Sequence, residues 1–249
     1  TSKLKTIEYI RNTFHPLWKI RRTKWLNKML SMIDFTCGYK DQTLGIKVFI
    51  YWYRDLPYLF GQSYVVEREV KDAINLILKF ENVSKFWDVG GNIGYYSFFI
   101  SSLLPKSEVV AFEPFHKNIK LFKHTIDFNR IKNITVVGKA VSNKSGSEDF
   151  LVDDVSGATG QFNSLFRKED NFQISNAYGL KKIIQVETIK LDEMIKDDSE
   201  IPDLMKVDIE EAEELMFQGA FKIVESKKTK IVIETYNPRV LELFKKNDY

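Results

Sequence analysis

The chain has 249 residues, 44% of them hydrophobic and 29% charged, with a formal net charge of +3. That balance describes a globular chain of one large domain, or a domain with an elaborated end, and excludes a disordered one. A single cysteine, Cys37, excludes an internal disulfide and a cysteine-rich metal site, and points to a reducing, cytoplasmic setting. No run reaches the roughly 18 uninterrupted apolar residues that span a bilayer. No secretory leader pattern is read, and a chain that opens on Thr1 reads as trimmed.

Charge is unevenly placed. Residues 1–33 carry eight lysines and arginines against Glu8, a local charge of +7, and the remainder sums to −4. Apolar residues with helical spacing, Trp18 and Trp25 among them, lie between the charges, with Pro16 as a break. The plain reading is a basic helical extension packed on its own domain or on a partner, which leaves room for a homo-oligomer. A basic amphipathic segment of this kind also suits peripheral contact with an anionic membrane. Nucleic acid ranks last. The run FIYWYRDLPYLF holds six aromatics between Phe49 and Phe60. It reads as strand or core packing ahead of a substrate-lining cluster.

From Glu67 to Phe80 the apolar residues recur with helical period. The strand KFWDV follows and breaks into a glycine-rich turn holding Asp88, Gly90, Asn92 and Gly94, then the helix YYSFFISSLL. Strand EVVAFEP, a helix from about Asn118 to Asn129, and strand ITVVGKAV come next. Residues 145–190 change character: two β segments, GSEDFLVDD and IIQVETIKL, flank a polar stretch at 153–182 that reads as a binding loop. The chain ends with strand DLMKVDI, helix EEAEELMFQGAFKIV, strand TKIVIETY and helix RVLELFKKN. Strands alternating with helices predict a mostly parallel, Rossmann-like α/β sheet covered on both faces. Ligands of such sheets bind at the carboxyl ends of the strands. Asp88, Glu113, Ser142, Asp208 and Glu234 all fall there.

The acid Glu113 ends the second strand, 25 positions after Asp88, close to the roughly 20 expected of a ribose-binding acid. A dinucleotide fingerprint would read G-x-G-x-x-G; here the acid precedes the glycines, and the spacing suits a cofactor without a pyrophosphate. S-adenosylmethionine fits. Its amino-acid end would lie against the turn at Asp88, Gly90, Asn92 and Gly94, its ribose against Glu113, and its adenine beside Phe115 or the Ala140–Ser142 segment. S-adenosylhomocysteine would be the product.

These residues resemble the FkbM-type family of class I methyltransferases. FWDVGGNIGYYS is similar to the family's DVGANIGYYS loop, FEPFHKN to FEPxPxN, and KAVSNKSGSEDFLV to ALSDxxGxxxL. FNSL resembles GxxSL, VETIKLDEMI resembles V-x-TLD, LMKVDIEEAEELMFQGA resembles IKIDVEGxExxVLxGA, and KIVIETYNP resembles PxIxxE. The resemblance covers about Ser63 to Tyr249, dividing the chain into an N-terminal, basic, mainly helical extension with its aromatic cluster (1–62) and a methyltransferase domain (63–249). It departs at Glu211, where glycine is usual, at Asn143, where the family has an acid, and at His116, where proline is common. The family fold adds a final antiparallel hairpin after the last helix. The chain stops at Asp248–Tyr249, so that hairpin is expected to be absent.

The resemblance implies O-methylation of a hydroxyl on a glycan, glycolipid or small natural product. A hydroxyl is a weak nucleophile and gains from a nearby base. Asp208 is the first choice, Glu210 the second, with Lys206 orienting Asp208 or stabilising a developing alkoxide, and Glu234 binding substrate. Glu213 and Glu214 read as a solvated helix face. Mg²⁺ could meet the oxygens of Asp208, Glu210 and Glu234, but their spacing does not require it. RNA 2′-O-methylation is an alternative that would need a basic groove beside the cofactor; a non-catalytic, membrane-associated scaffold is another.

Overall fold

The computed structural model describes residues 24–55, 68–153, 160–165, 181–235 and 237–249. The predicted boundary between residues 62 and 63 and most of the polar stretch at 153–182 lie outside them. The elements in chain order are α1 (Lys24–Met32), β1 (Thr36–Lys40), β2 (Lys47–Tyr51), α2 (Arg68–Phe80), β3 (Lys85–Val89), α3 (Tyr95–Leu103), β4 (Glu108–Phe112), α4 (His116–Asn129) and β5 (Ile134–Val137). Then come β6 (Ala140–Val141), β7 (Gly146–Asp153), β8 (Gly160–Phe162), β9 (Lys181–Ile189), β10 (Leu204–Val207), α5 (Glu213–Gln218), α6 (Phe221–Ser226), β11 (Lys230–Ile233) and α7 (Pro238–Lys246).

Five strands form the central sheet in the order β11-β10-β3-β4-β5, every pair parallel. Their sequences are short apolar runs because both faces are covered. One face packs Phe86, Ile74, Phe98, Ile100, Val109, Ala111 and Phe122 into a core with α2, α3 and α4. The other packs Trp87, Val110, Met205, Val207, Ile223, Val240 and Phe244. Successive residues of β3, Phe86 and Trp87, thus enter opposite cores. This is the Rossmann-like, mostly parallel sheet covered on both faces that the alternating pattern predicts.

Three local predictions are corrected. The run ITVVGKAV is not one strand: β5 belongs to the central sheet, while β6 joins a second sheet of order β6-β9-β7-β8. The single helix expected over EEAEELMFQGAFKIV is two, α5 and α6. A Cβ on Gly219 between them would lie 2.2 Å from the Ser142 carbonyl oxygen, so the chain bends closely past that strand. Asp192 then accepts hydrogen bonds from the Phe221 and Lys222 amides and caps α6. Residues 36–51, placed within a mainly helical extension, form an antiparallel hairpin.

That hairpin is sewn onto α4. Phe49 N donates to Thr125 Oγ1 at 3.0 Å, and Lys47 N donates to Asn129 Oδ1 at 3.1 Å. The Phe49 ring stacks on His124 at 3.9 Å between centroids. Val48, Phe49 and Ile50 are buried in the same core as Phe122. Of the aromatic cluster, Phe49 and Tyr53 are buried and Trp52 stacks on Phe35; residues 56–60 lie outside the described residues.

Candidate active site

The five parallel strands end in one row. Val207 pairs with Val89 and Ile233, and Phe112 pairs with Val89 and Val137. The polar residues that follow are therefore brought to a single rim, as the strand-end argument predicts. A cleft opens there, with about 730 Å³ of space between its walls once the open solvent at its mouth is included. Gly90, Asn92, Glu113, Phe115 and Asn118 form one wall, Asp208 and Glu210 face them, and Phe150 and Phe162 of the second sheet border a third side.

The loop after β3 is fixed by its own backbone. Gly90 and Gly91 both donate to the Phe112 carbonyl, at 3.0 and 2.9 Å. A Cβ on Gly90, at φ +82°, would lie 1.9 Å from the Asp208 carbonyl oxygen. The glycine is thus required by the close passage of β10. At Gly94, φ +96°, the obstacle is the Phe122 ring at 2.4 Å.

Glu113 is the organiser of its wall. Its Oε2 accepts from Asn92 N at 2.9 Å, and its Oε1 from Phe115 N at 2.8 Å and Asn118 Nδ2 at 3.2 Å. Burial pushes its carboxyl up to about 7, against the pull of those donors and the nearby Arg54 guanidinium. Asn118 Oδ1 is buried with no hydrogen-bond partner among the described residues. A buried acceptor without a partner is costly, and one in the cleft lining suits a ligand that brings a donor.

Several predicted residues sit behind the cleft instead. Asp88 is completely buried; its Oδ2 accepts from Ser97 N at 3.1 Å and Ser97 Oγ at 2.7 Å, tying β3 to the first turn of α3. Desolvation pushes its pKa up, opposed first by Lys206. Lys206, also buried, lies under the loop: its Nζ is 3.2 Å from Gly90 O, 3.3 Å from Asp208 Oδ2 and 3.8 Å from Asp88 Oδ1. It joins the two strands beneath the site. Ser142 is buried outside the lining, although its neighbours Ala140 and Val141 belong to it. Gly94 lies behind the loop, and Glu234 is exposed at the adjacent strand end, outside the lining.

Opposite Glu113, the chain after β10 turns through Glu210 (φ 42°) and Glu211 (φ 69°), both left-handed. Such angles cost a non-glycine residue about 1–2 kcal/mol. Glycine at the position of Glu211 would suit this turn. Burial raises the Glu210 carboxyl to about 7, aided by Asp208, Glu234, Glu213 and Glu211 in that order. Glu213, read as part of a solvated face, is buried at the start of α5. Burial pushes its carboxyl up, opposed by the backbone amides of Glu213 itself and of Glu211. Among the described residues no cluster of three or more His, Cys, Asp or Glu side chains could hold a metal ion.

A family model, the methyltransferase FkbM domain, matches residues 88–249. The chain belongs to the FkbM methyltransferase family. It is an S-adenosylmethionine-dependent methyltransferase. A solved structure, precorrin-6y C5,15-methyltransferase from Geobacter metallireducens GS-15, is similar over 73% of this chain and 70% of its own, with 13% identity and a TM-score of 0.42. No curated protein matches the chain.

The FkbM match begins at Asp88, yet one residue from before it reaches the site. Arg54 is 1% exposed, paired with Asp55 through Nε–Oδ1 at 2.9 Å and Nη2–Oδ2 at 3.1 Å. Its guanidinium lies 5.9 Å from the Phe115 ring. Sequence reasoning missed Arg54, because an Arg-Asp pair beyond a strand carries no sign of what it will touch. Asn118 was missed as well, although its place as the last residue of FEPFHKN was a signal that could have found it.

Proposed function

We propose that this FkbM methyltransferase methylates a hydroxyl oxygen of a glycan, glycolipid or small natural product, with Glu210 as the general base. The observation that carries the reading is Glu210 itself: a cleft-lining carboxyl held near neutrality, across from Glu113. A base whose pKa lies near the working pH combines a large ionised fraction with a useful affinity for the proton. Asp208, ranked first from sequence, also lines the cleft. Its contact with Lys206 suits it to accept a hydrogen bond from the acceptor and fix its position.

The residues fit S-adenosylmethionine. Glu113 would accept from the ribose hydroxyls, the unpartnered Asn118 Oδ1 could accept a further donor, and Phe115 offers an apolar face. When bound, the cofactor supplies a methyl group already activated by its sulfonium. The protein then has to align the acceptor oxygen, exclude water with Phe150 and Phe162, and take the hydroxyl proton onto Glu210.

The test is transfer of labelled methyl from S-adenosylmethionine into fractionated glycans, lipids, small metabolites and RNA. An ether product keeps its label through mild alkali. Label that is released by alkali would mean carboxyl methylation, and label confined to RNA would favour the nucleic-acid reading; either result overturns the proposal.

A further inference from the structure

Thirteen large apolar side chains are exposed among the described residues, and five of them lie within eleven residues. Trp25 is 64% exposed, Met29 56%, Met32 78%, Ile33 61% and Phe35 60%. On α1, Trp25, Met29 and Met32 stand at i, i+4 and i+7, one row along a helix, and Ile33 and Phe35 continue it past the helix end. Leu26 and Leu30 are half-buried by comparison. An apolar row of this size on a surface normally marks something it binds.

The row is anchored to the domain. Trp52 Nε1 donates to Ile33 O at 3.0 Å, Trp52 N donates to Phe35 O at 3.0 Å, and Tyr53 N donates to Asp34 Oδ1 at 2.9 Å. The Phe35 and Trp52 rings stack at 5.7 Å. The next residue along, Arg54, is the one that leans on Phe115 in the cleft. A body resting on this row is therefore held at a fixed place relative to the active site.

Charge identifies the occupant. Between Glu8 and Asp34 the sequence has no acidic residue and six basic ones: Arg11, Lys19, Arg21, Arg22, Lys24 and Lys28. A second copy packed about a twofold axis would bring two such segments together, and like charges would oppose it. A nucleic acid would meet the charges but gain little from Met29, Met32 and Ile33. An anionic bilayer answers both features, since headgroups attract the basic residues and the acyl boundary takes the apolar row. Among the described residues no helix is long and apolar enough to cross a bilayer, and an amphipathic helix such as α1 would lie in the plane of the surface.

We propose that the face from Trp25 to Phe35 docks this protein on an anionic lipid surface. The docking holds whichever hydroxyl is methylated. The experiment is co-sedimentation of the full chain with vesicles of phosphatidylcholine alone or mixed with phosphatidylglycerol. Binding should favour the mixed vesicles by at least about tenfold and weaken with added salt. The double variant Trp25→Ser, Met29→Ser should bind them at least about tenfold less, with S-adenosylhomocysteine affinity by calorimetry unchanged. Because these side chains are exposed, that calorimetric control reports a folded protein. Three results overturn the proposal: no sedimentation with mixed vesicles, equal sedimentation of parent and double variant, or self-association that Trp25→Ser abolishes in place of vesicle binding.

Discussion

The two walls of the cleft solve opposite problems. On the Glu113 wall, three N–H donors converge on one carboxylate, and the glycine loop bonds back to the Phe112 carbonyl. That wall is preorganised. On the opposite wall, Asp208, Glu210 and Glu211 crowd like charges together, and two successive residues hold left-handed backbone. That wall carries strain, of the kind that functional sites store. The contrast fits a division of labour in which one side binds the cofactor and the other keeps a base ready for a proton.

The contrast can be broken at four places. The largest effect should come from Lys206, which underlies both walls. Lys206→Met leaves Asp88 buried without its nearest cation and should cost about 3–5 kcal/mol in urea unfolding. A variant of parental stability that has lost turnover alone would make the lysine a direct catalytic group.

Next is Glu210→Gln. Turnover should fall on the order of 100-fold while S-adenosylhomocysteine binding persists. Stability should move the other way. A carboxyl at about 7 in the folded protein, against the usual 4.5, binds its proton more tightly when folded. The penalty is therefore absent below about pH 4.5, grows as pH rises, and is complete above about 7. Removing it should stabilise the protein by on the order of 1 kcal/mol at pH 8, solvent at the cleft mouth having screened part of it, and by nothing at pH 4. Equal thermal shifts at both pH values would show that Glu210 is not held near neutrality.

Glu113→Ala should weaken S-adenosylhomocysteine binding by roughly 10- to 150-fold, the loss of charged hydrogen bonds worth about 1.5–3 kcal/mol. Unchanged calorimetry would remove the cofactor from this wall. The smallest effect belongs to Glu211→Gly, which should stabilise by about 0.5–1 kcal/mol, relieved backbone strain outweighing the added freedom of the unfolded chain. Destabilisation there would show that the side chain itself supports the turn.

The central sheet was legible because each strand is an apolar run bounded by turn residues, a pattern that local sequence carries. Glu113 was legible for the same reason, as an acid at a strand end. Asp88 was read the same way, but it lies inside β3, level with Ala111, and its carboxylate turns inward to Ser97. Which of two strand-end acids meets the ligand depends on which face of the strand it leaves from, and on how the following loop folds over it. Lys206 was likewise seen beside Asp208 without a sign that the glycine loop would cover it. The hairpin at 36–51 and Arg54 were least legible. Their partners are Thr125, Asn129 and Phe115, and nothing in a short window announces contacts at that separation. The split of ITVVGKAV between two sheets escaped because both halves have the same β character.

The seam between β2 and α4 also sets an order of events during synthesis. Phe49 emerges 76 residues before Thr125, the side chain that takes its amide proton. At the usual roughly 5–20 residues per second, the hairpin waits about 4–15 s for its partner helix. Through that interval Val48, Phe49 and Ile50 have no core to enter, so a chain that stalls in this window presents a sticky strand to its neighbours.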